Sequence, residues 1–262
     1  MLGKLLKYEI PAMGRKLLPL YAAWGATALL LGLTTQSADS KSEFMVVISA
    51  LLYTAIATAI LVMTIILIVQ RYSNSLLGDE AYFNHVLPVS VSAHIGNKVI
   101  SATLWIFVTI LVAILTAILI GIGAIIVAGD AISLTEMIRS LLSVDFYLPK
   151  HFWLYVFEIL LLGIAGTVKT IMQIYAAITI GHQAPNRTTL ASIGAYILIM
   201  IFESSVGRVL LPLLFRIDYN METEGFAALS RVFLPALIVT VLFSTLYFFV
   251  CKYLMEKKLN LA

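Results

Sequence analysis

Long apolar runs alternate with shorter polar segments along the whole chain. Six of these runs offer about 20 or more largely apolar residues, the length that an α-helix needs at 1.5 Å per residue to cross the hydrocarbon core of a bilayer. The runs are Leu17–Thr35, Phe44–Val69, Val99–Ala128, His151–Gly181, Thr188–Val206 and Arg231–Leu254. None of them alternates strictly between apolar and polar residues, as the strands of a membrane β-barrel do. The pattern predicts an all-α polytopic membrane protein with six transmembrane helices.

The composition agrees with this prediction. Hydrophobic residues make up 61% of the chain and charged residues 12%, whereas a soluble domain contains about 45–50% apolar and about 25% charged residues. No convincing internal repeat and no polar linker divides the sequence. We therefore expect a single transmembrane domain over residues 1–262.

The first 18 residues have a different pattern, in which cationic and apolar residues share one helix. The apolar positions at helical spacing are Leu2, Leu5, Leu6, Ile10, Met13 and Leu17, with Lys4, Lys7, Arg15 and Lys16 between them. This arrangement predicts an N-terminal amphipathic elbow helix that lies in the membrane interface, bent or split at Pro11. The alternative is a basic flank that only orients the first span.

The longest polar interruption of the first half is Gln70–Lys98, between the second and third spans. Gly78 is expected to end the preceding helix in a left-handed conformation. Asp79 can cap a new short helix, with Glu80 in its first turn, and Pro88 prevents that helix from continuing. The segment therefore predicts a short helix at the membrane surface, which another protein could push.

The distribution of Lys and Arg predicts the orientation of the chain, because these residues are enriched in cytoplasmic loops. With the N-terminus inside, ten of the 17 Lys and Arg residues, Lys98 among them, belong to inner segments, six belong to outer ones, and Lys169 lies within a span. The bias places both termini and the segment Gln70–Lys98 in the cytoplasm.

Motifs for catalysis, nucleotide binding and metal binding are missing from the sequence. It contains no phosphate-binding loop of the type Gly-x-x-x-x-Gly-Lys-Ser/Thr and no His-Glu-x-x-His zinc motif. The single cysteine, Cys251, excludes an internal disulfide. We expect no enzymatic activity and no cofactor in this chain. If it takes part in active transport, ATP must be hydrolysed by another polypeptide.

Three ionisable residues fall inside the predicted spans: Glu158 and Lys169 in the fourth, and Glu203 in the fifth. A charge at the bilayer centre costs at least about 2.5–3.5 kcal/mol, so it usually faces protein or water. Glu158 and Lys169 lie about 16 Å apart along the axis of one helix, which is too far for a direct ion pair. The three residues are either a polar translocation surface or side chains that extend separately toward the two membrane surfaces.

Several segments together resemble a known family. They are Gly78-Asp79-Glu80-Ala81-Tyr82, Leu87-Pro88-Val89-Ser90 and Asn97-Lys98 in the long loop, the opening Met1–Glu9, the end of the fourth span at Ile174–His182, and the tail Lys257–Leu261. They are similar to the corresponding segments of bacterial ABC-2 type transporter permeases, especially those of Gram-positive bacteria. Ala81 and Asn97 depart conservatively from that family's pattern, which more often has Gly and Ser there.

The resemblance implies a coupling helix between the second and third spans that contacts an ATP-binding subunit. By position, the coupling residues are Gly78, Asp79, Glu80, Tyr82, Phe83, Leu87 and Pro88. The implied partners are that subunit, which holds the ATP, and a second copy of the permease or a homologous one. The implied location is the bacterial cytoplasmic membrane, and no nucleic acid is involved.

The implied function is export of an amphipathic, peptide or lipid-like substrate, or resistance to antimicrobial peptides. One alternative is a membrane scaffold, sensor or immunity protein that binds a cationic peptide without moving it, since the outer segment Asp218–Glu224 is acidic. A weaker alternative is an intramembrane enzyme, although the spans contain no paired nucleophile and base.

Overall fold

The computed structural model describes residues 2–35, 40–78, 90–128, 152–184, 187–214 and 225–257, and the fold over these ranges is all-α. Six helices follow one another within these ranges. They are α1 (Leu2–Thr34), α2 (Ser40–Leu76), α3 (Val91–Ala128), α4 (Phe152–Gly181), α5 (Thr188–Leu214) and α6 (Gly225–Lys257).

All six helices contain a stretch that is long and apolar enough to cross a membrane. Their lengths run from 27 to 38 residues, so each exceeds the roughly 20 residues that the hydrocarbon core requires. The prediction of six transmembrane helices is confirmed. Several helices begin earlier or end later than the apolar runs: α3 begins at Val91, eight residues before the predicted span, because polar residues continue the same helix.

The N-terminal region differs from the prediction. An elbow helix bent or split at Pro11 and followed by a span was expected, but α1 is not split, since one helix continues through both Pro11 and Pro19. A continuous stripe of buried side chains explains why the helix does not divide. Met13, Leu17, Tyr21, Trp24 and Ala28 recur at intervals of three or four residues across the expected boundary, so the same face is packed on both sides of it.

The helices form two packing units, and the division falls within α2 and α3. One unit, here called the glycine unit, contains α1 from Lys4, α2 up to Ile68 and α3 from Leu104. The other, here called the loop unit, contains α2 from Val69, α3 up to Thr103, and the helices α4, α5 and α6.

The glycine unit is held together by close backbone contact and by hydroxyl pairs. Gly32 of α1 faces Gly123 of α3, where a Cβ atom on Gly123 would lie 2.9 Å from the Cα of Gly32. Tyr21 and Thr109 share a hydrogen bond of 2.7 Å between their hydroxyl oxygens. Small residues let membrane helices approach closely, and hydroxyl groups can then bond across the contact.

Candidate functional site

The residues predicted to contact an ATP-binding subunit belong mostly to a part of the chain that the structure does not describe. Asp79, Glu80, Tyr82, Phe83, Leu87 and Pro88 lie outside the described residues, and Gly78 lies within them. The described structure on both sides of residues 79–89 shows what anchors this loop. We call these two flanking helix ends, Val69–Leu76 of α2 and Val91–Thr103 of α3, the loop stems.

Gly78 follows the end of α2, as the sequence predicts, but its conformation differs from the prediction. Its φ angle lies outside the left-handed region. Its backbone N–H donates a hydrogen bond of 2.8 Å to the carbonyl of Ser73, which extends the last turn of the helix. Small size, and not a positive φ, favours glycine here, because a Cβ atom would lie 3.2 Å from both the Cα and the carbonyl oxygen of Asn74.

The upstream stem is fixed by Tyr72, which is fully buried. Its ring stacks on Tyr175 of α4 with 3.9 Å between ring centroids and 7° between ring planes. Its hydroxyl lies 2.8 Å from the hydroxyl of Thr179. Since Thr179 donates its own hydrogen to the Tyr175 carbonyl, its oxygen is left to accept from Tyr72. The stem is thus attached to α4 by an aromatic stack and a buried hydrogen bond.

Two sulfur atoms of α6 lie beside the hydroxyl groups of Tyr72 and Thr179. The Tyr72 hydroxyl lies 3.8 Å from the sulfur of Met255, and the Thr179 hydroxyl lies 4.0 Å from the sulfur of Cys251. Cys251 and Met255 are both buried. The upstream stem therefore packs against α4 and α6 together, at the end of the loop unit where α4 ends and α6 ends.

The downstream stem buries four polar residues, three of which the sequence pattern assigned to an inner segment. His94, Asn97, Lys98 and Ser101 are all buried. Lys98 was counted among the cytoplasmic cations, but it lies within α3 and only 5% of its surface is exposed. The Tyr175 hydroxyl donates a long hydrogen bond of 3.4 Å to the Lys98 carbonyl. Tyr175 therefore contacts both stems, one through its ring and one through its hydroxyl.

A second polar group lies deeper in the loop unit and includes two of the predicted path residues. The ammonium of Lys169 on α4 forms an ion pair with Oε1 of Glu203 on α5. The hydroxyl of Tyr247 on α6 donates a hydrogen bond of 3.1 Å to Oε2 of the same carboxylate. Each side chain of the pair retains 21% of its exposure. Both carboxylate oxygens are occupied, as a charge inside a span requires.

Glu158 is not part of this polar group. It lies about 16 Å from Lys169 along α4 at 1.5 Å per residue. Its Oε2 atom is buried and has no hydrogen-bond partner among the described residues. The structure thus brings two of the three predicted path residues together and leaves the third apart.

The pairing of Lys169 with Glu203 was missed by the sequence analysis, which expected these side chains to extend separately or to face a common path. A signal for it existed. Lys169 is twelve residues before the end of α4 and Glu203 fifteen after the start of α5, which places them about 18 and 22 Å from the short connection between the two helices. Unlike charges at similar depth on consecutive helices favour a direct pair. Tyr247, in contrast, could not be assigned without the packing of α6.

The described residues contain no group of three or more His, Cys, Asp or Glu side chains that could hold a metal ion. No known protein family matches the chain, and neither does any curated protein or solved structure.

Proposed function

We propose that the chain is the membrane-spanning permease subunit of an ABC exporter. ATP is bound and hydrolysed by separate subunits, and the chain moves an amphipathic, peptide or lipid-like substrate out of the cell. Two copies, or one copy with a homologous permease, would form the complete pathway in the bacterial cytoplasmic membrane. The chain itself then needs no cofactor and no catalytic residue.

One observation supports this proposal above the others. The loop with the motif Gly78-Asp79-Glu80-Ala81-Tyr82 has both of its stems in the same packing unit as α4, α5 and α6, and Tyr175 contacts both stems. A force applied to the loop would therefore reach three membrane helices without passing through a flexible connection. Such an attachment suits a coupling element and is unnecessary for a passive connector.

In this proposal the loop residues Asp79, Glu80, Tyr82 and Phe83 contact the ATP-binding subunit, and Leu87-Pro88 lead back to the membrane. Lys169 and Glu203 belong to the surface along which the substrate passes, and Glu158 lies on the same surface toward its outer end. Transport would then require the ion pair to exchange partners with the substrate or with water.

The proposal is tested by co-expression with a candidate ATP-binding subunit, sought first among the products of the neighbouring genes. The purified chain alone should show no ATPase activity, and it should co-purify with that subunit. Tyr82→Pro should abolish co-purification and export while membrane insertion and abundance stay near wild type, because Pro breaks a helix at a cost of about 3 kcal/mol or more. Export by Tyr82→Pro at the wild-type rate would contradict the coupling role.

The same system separates export from peptide binding without transport. A catalytically inactive ATP-binding subunit should eliminate protection against an antimicrobial peptide if the chain is an exporter. Protection that persists would favour the immunity or scaffold alternative, in which the acidic segment Asp218–Glu224 binds the peptide outside the cell.

The proposed orientation needs reporters that are exposed in the structure. Gln183, after α4, and Thr35, after α1, are both exposed, and Cys251→Ala removes the only native thiol. With an impermeant thiol reagent on intact cells, Thr35→Cys should be labelled and Gln183→Cys should not. The reverse pattern would place the loop 79–89 outside and exclude its contact with a cytoplasmic ATPase.

A further inference from the structure

An apolar groove opens along the surface of the loop unit between α5 and α6. Its floor is α4, which packs against both of these helices, whereas α5 and α6 contact each other much less. The groove has a volume of about 260 Å³ and is lined by Ala176 and Ile180 of α4, Leu198 and Phe202 of α5, and Leu246 and Val250 of α6. Leu198 and Phe202 are 69% and 54% exposed, so the groove is accessible from the side.

The two walls of the groove lead to cations at the same end of the helices. Arg187 immediately precedes α5 and lies eleven residues before Leu198, a distance of about three helical turns. On α6, Lys257 follows Val250 by seven residues, which is about two turns and places both on one face. Arg187 and Lys257 are both exposed. The Lys257 ammonium lies 5.2 Å above the ring of Tyr253, a residue type enriched at membrane interfaces.

The length of this arrangement matches one leaflet of a bilayer. From Arg187 to Leu198 the rise along α5 is about 16 Å, and half of a hydrocarbon core is about 15 Å. The groove therefore offers an apolar surface for an acyl chain that extends to the middle of the membrane. The two cations lie at the level of the headgroups. Paired apolar and cationic features of this kind fit an anionic lipid.

We infer that the groove binds one acyl chain of an anionic membrane phospholipid, whose phosphate lies between Arg187 and Lys257. The lipid belongs to the leaflet on the side where α4 ends and α5 begins. Tyr247, whose hydroxyl bonds to Glu203, also lines the groove, so the lipid site borders the proposed substrate surface. The inference goes beyond the proposed export function, because the lipid is a resident ligand and is not the transported substrate.

The experiment uses the full chain in nanodiscs and a phosphatidylglycerol probe with a photoreactive diazirine at the end of one acyl chain. A phosphatidylcholine probe with the same chains is the headgroup control. Crosslinked peptides, identified by mass spectrometry, should come from the groove segments of α5 and α6. Since each cation near the membrane surface contributes about fivefold to the binding of an anionic lipid, labelling by phosphatidylglycerol should exceed labelling by phosphatidylcholine by more than tenfold.

Two pairs of variants test the geometry. Arg187→Gln combined with Lys257→Gln should reduce labelling by phosphatidylglycerol to the phosphatidylcholine level, whereas Arg208→Gln, at the opposite end of α5, should not change it. Leu198→Trp should fill the groove and eliminate groove labelling. Ile193→Trp is the control, because Ile193 is 54% exposed, does not line the groove and should leave labelling unchanged.

Two results would overturn the inference. Equal labelling by both probes, spread over the groove and the face around Ile193, would indicate ordinary surrounding lipid with no site. Absence of groove labelling together with crosslinks between two copies of the chain would indicate that a second copy covers the groove.

Discussion

The helices of the two packing units are joined by different kinds of contact. In the glycine unit the helices meet at small residues and hydroxyl pairs, such as Gly32 with Gly123 and Tyr53 with Thr116, whose hydroxyl oxygens are 3.2 Å apart. In the loop unit the contacts involve an ion pair between Lys169 and Glu203 and a buried tyrosine stack.

The two kinds of contact differ in the desolvation free energy that their formation costs. Small residues and hydroxyl pairs need little desolvation, and each such hydrogen bond contributes only about 1 kcal/mol in a membrane. A buried charge is costly unless it is paired, so it is usually retained where it has a function. If the proposed export function holds, the Lys169–Glu203 pair favours the loop unit as the part that acts in it. The glycine unit also buries a carboxylate, that of Glu9 near the start of α1, so the distinction rests on the ion pair deep within the spans.

The largest expected effect comes from removing one half of the ion pair. Lys169→Met leaves the Glu203 carboxylate inside the membrane with only the Tyr247 hydroxyl, and we expect a loss of about 3 kcal/mol in the free energy of unfolding. The loss should be visible as a lower thermal unfolding midpoint in detergent. The double variant Lys169→Met with Glu203→Gln should recover most of it, because no unpaired charge remains.

A matched control is the exposed pair of Lys252 and Glu256 on α6, in which Nζ of the lysine lies 4.0 Å from Oε1 of the glutamate. Lys252→Met should cost less than about 0.5 kcal/mol, as is usual for surface pairs. If the stable double variant still exports substrate at the wild-type rate, then the ion pair is structural and the loop unit loses its main functional feature. Equal stability of Lys169→Met and the wild type would show that the pair contributes nothing to folding.

The second effect concerns the glycine unit. A Cβ atom on Gly32 would collide with the backbone carbonyl oxygen of Ile120, so Gly32→Ala should force α1 and α3 apart at a cost of about 1–3 kcal/mol. Gly25→Ala on the same helix is the control, since its nearest contact is a side-chain atom of Leu119 at 3.7 Å. Thermal unfolding should separate the two variants, and an equal midpoint would mean that the helices are not closely packed there.

The number of helices could be predicted because a membrane span has a strong and simple signal. A run of about 20 apolar residues suffices, and it located all six helices. The ends were less predictable, because polar residues such as His94 and Lys98 continue α3 while buried among other side chains. A polar residue looks the same in the sequence whether it faces water or a packed interior.

The candidate site was predictable only in part, for a similar reason. Lys169 and Glu203 are charged residues in apolar runs, and both lie at a similar distance from the connection between α4 and α5. The sequence alone therefore identifies them as candidate site residues. Tyr72 and Tyr175 do not stand out, because tyrosine is common in membrane helices and stacking depends on contacts between residues more than 100 positions apart. Long-range packing of this kind leaves no local pattern.

Tyr72→Phe should change stability less than Lys169→Met or Gly32→Ala, and it tests directly whether the two units differ in function. The variant keeps the stack on Tyr175 and loses the hydrogen bond to Thr179 and the weak contact with the Met255 sulfur. Thr179 still donates to the Tyr175 carbonyl. We therefore expect a cost of about 1 kcal/mol.

Tyr53→Phe is the matched control, since its hydroxyl bonds to Thr116 in the glycine unit and Thr116 likewise donates to a carbonyl of its own helix. The two variants should unfold at similar temperatures. If the proposed coupling holds, only Tyr72→Phe should lower ATP-driven export, because it loosens the attachment of the upstream stem to α4. Equal export by both variants would show that the hydroxyl of Tyr72 contributes to packing alone, and the functional distinction between the two units would then rest on the ion pair.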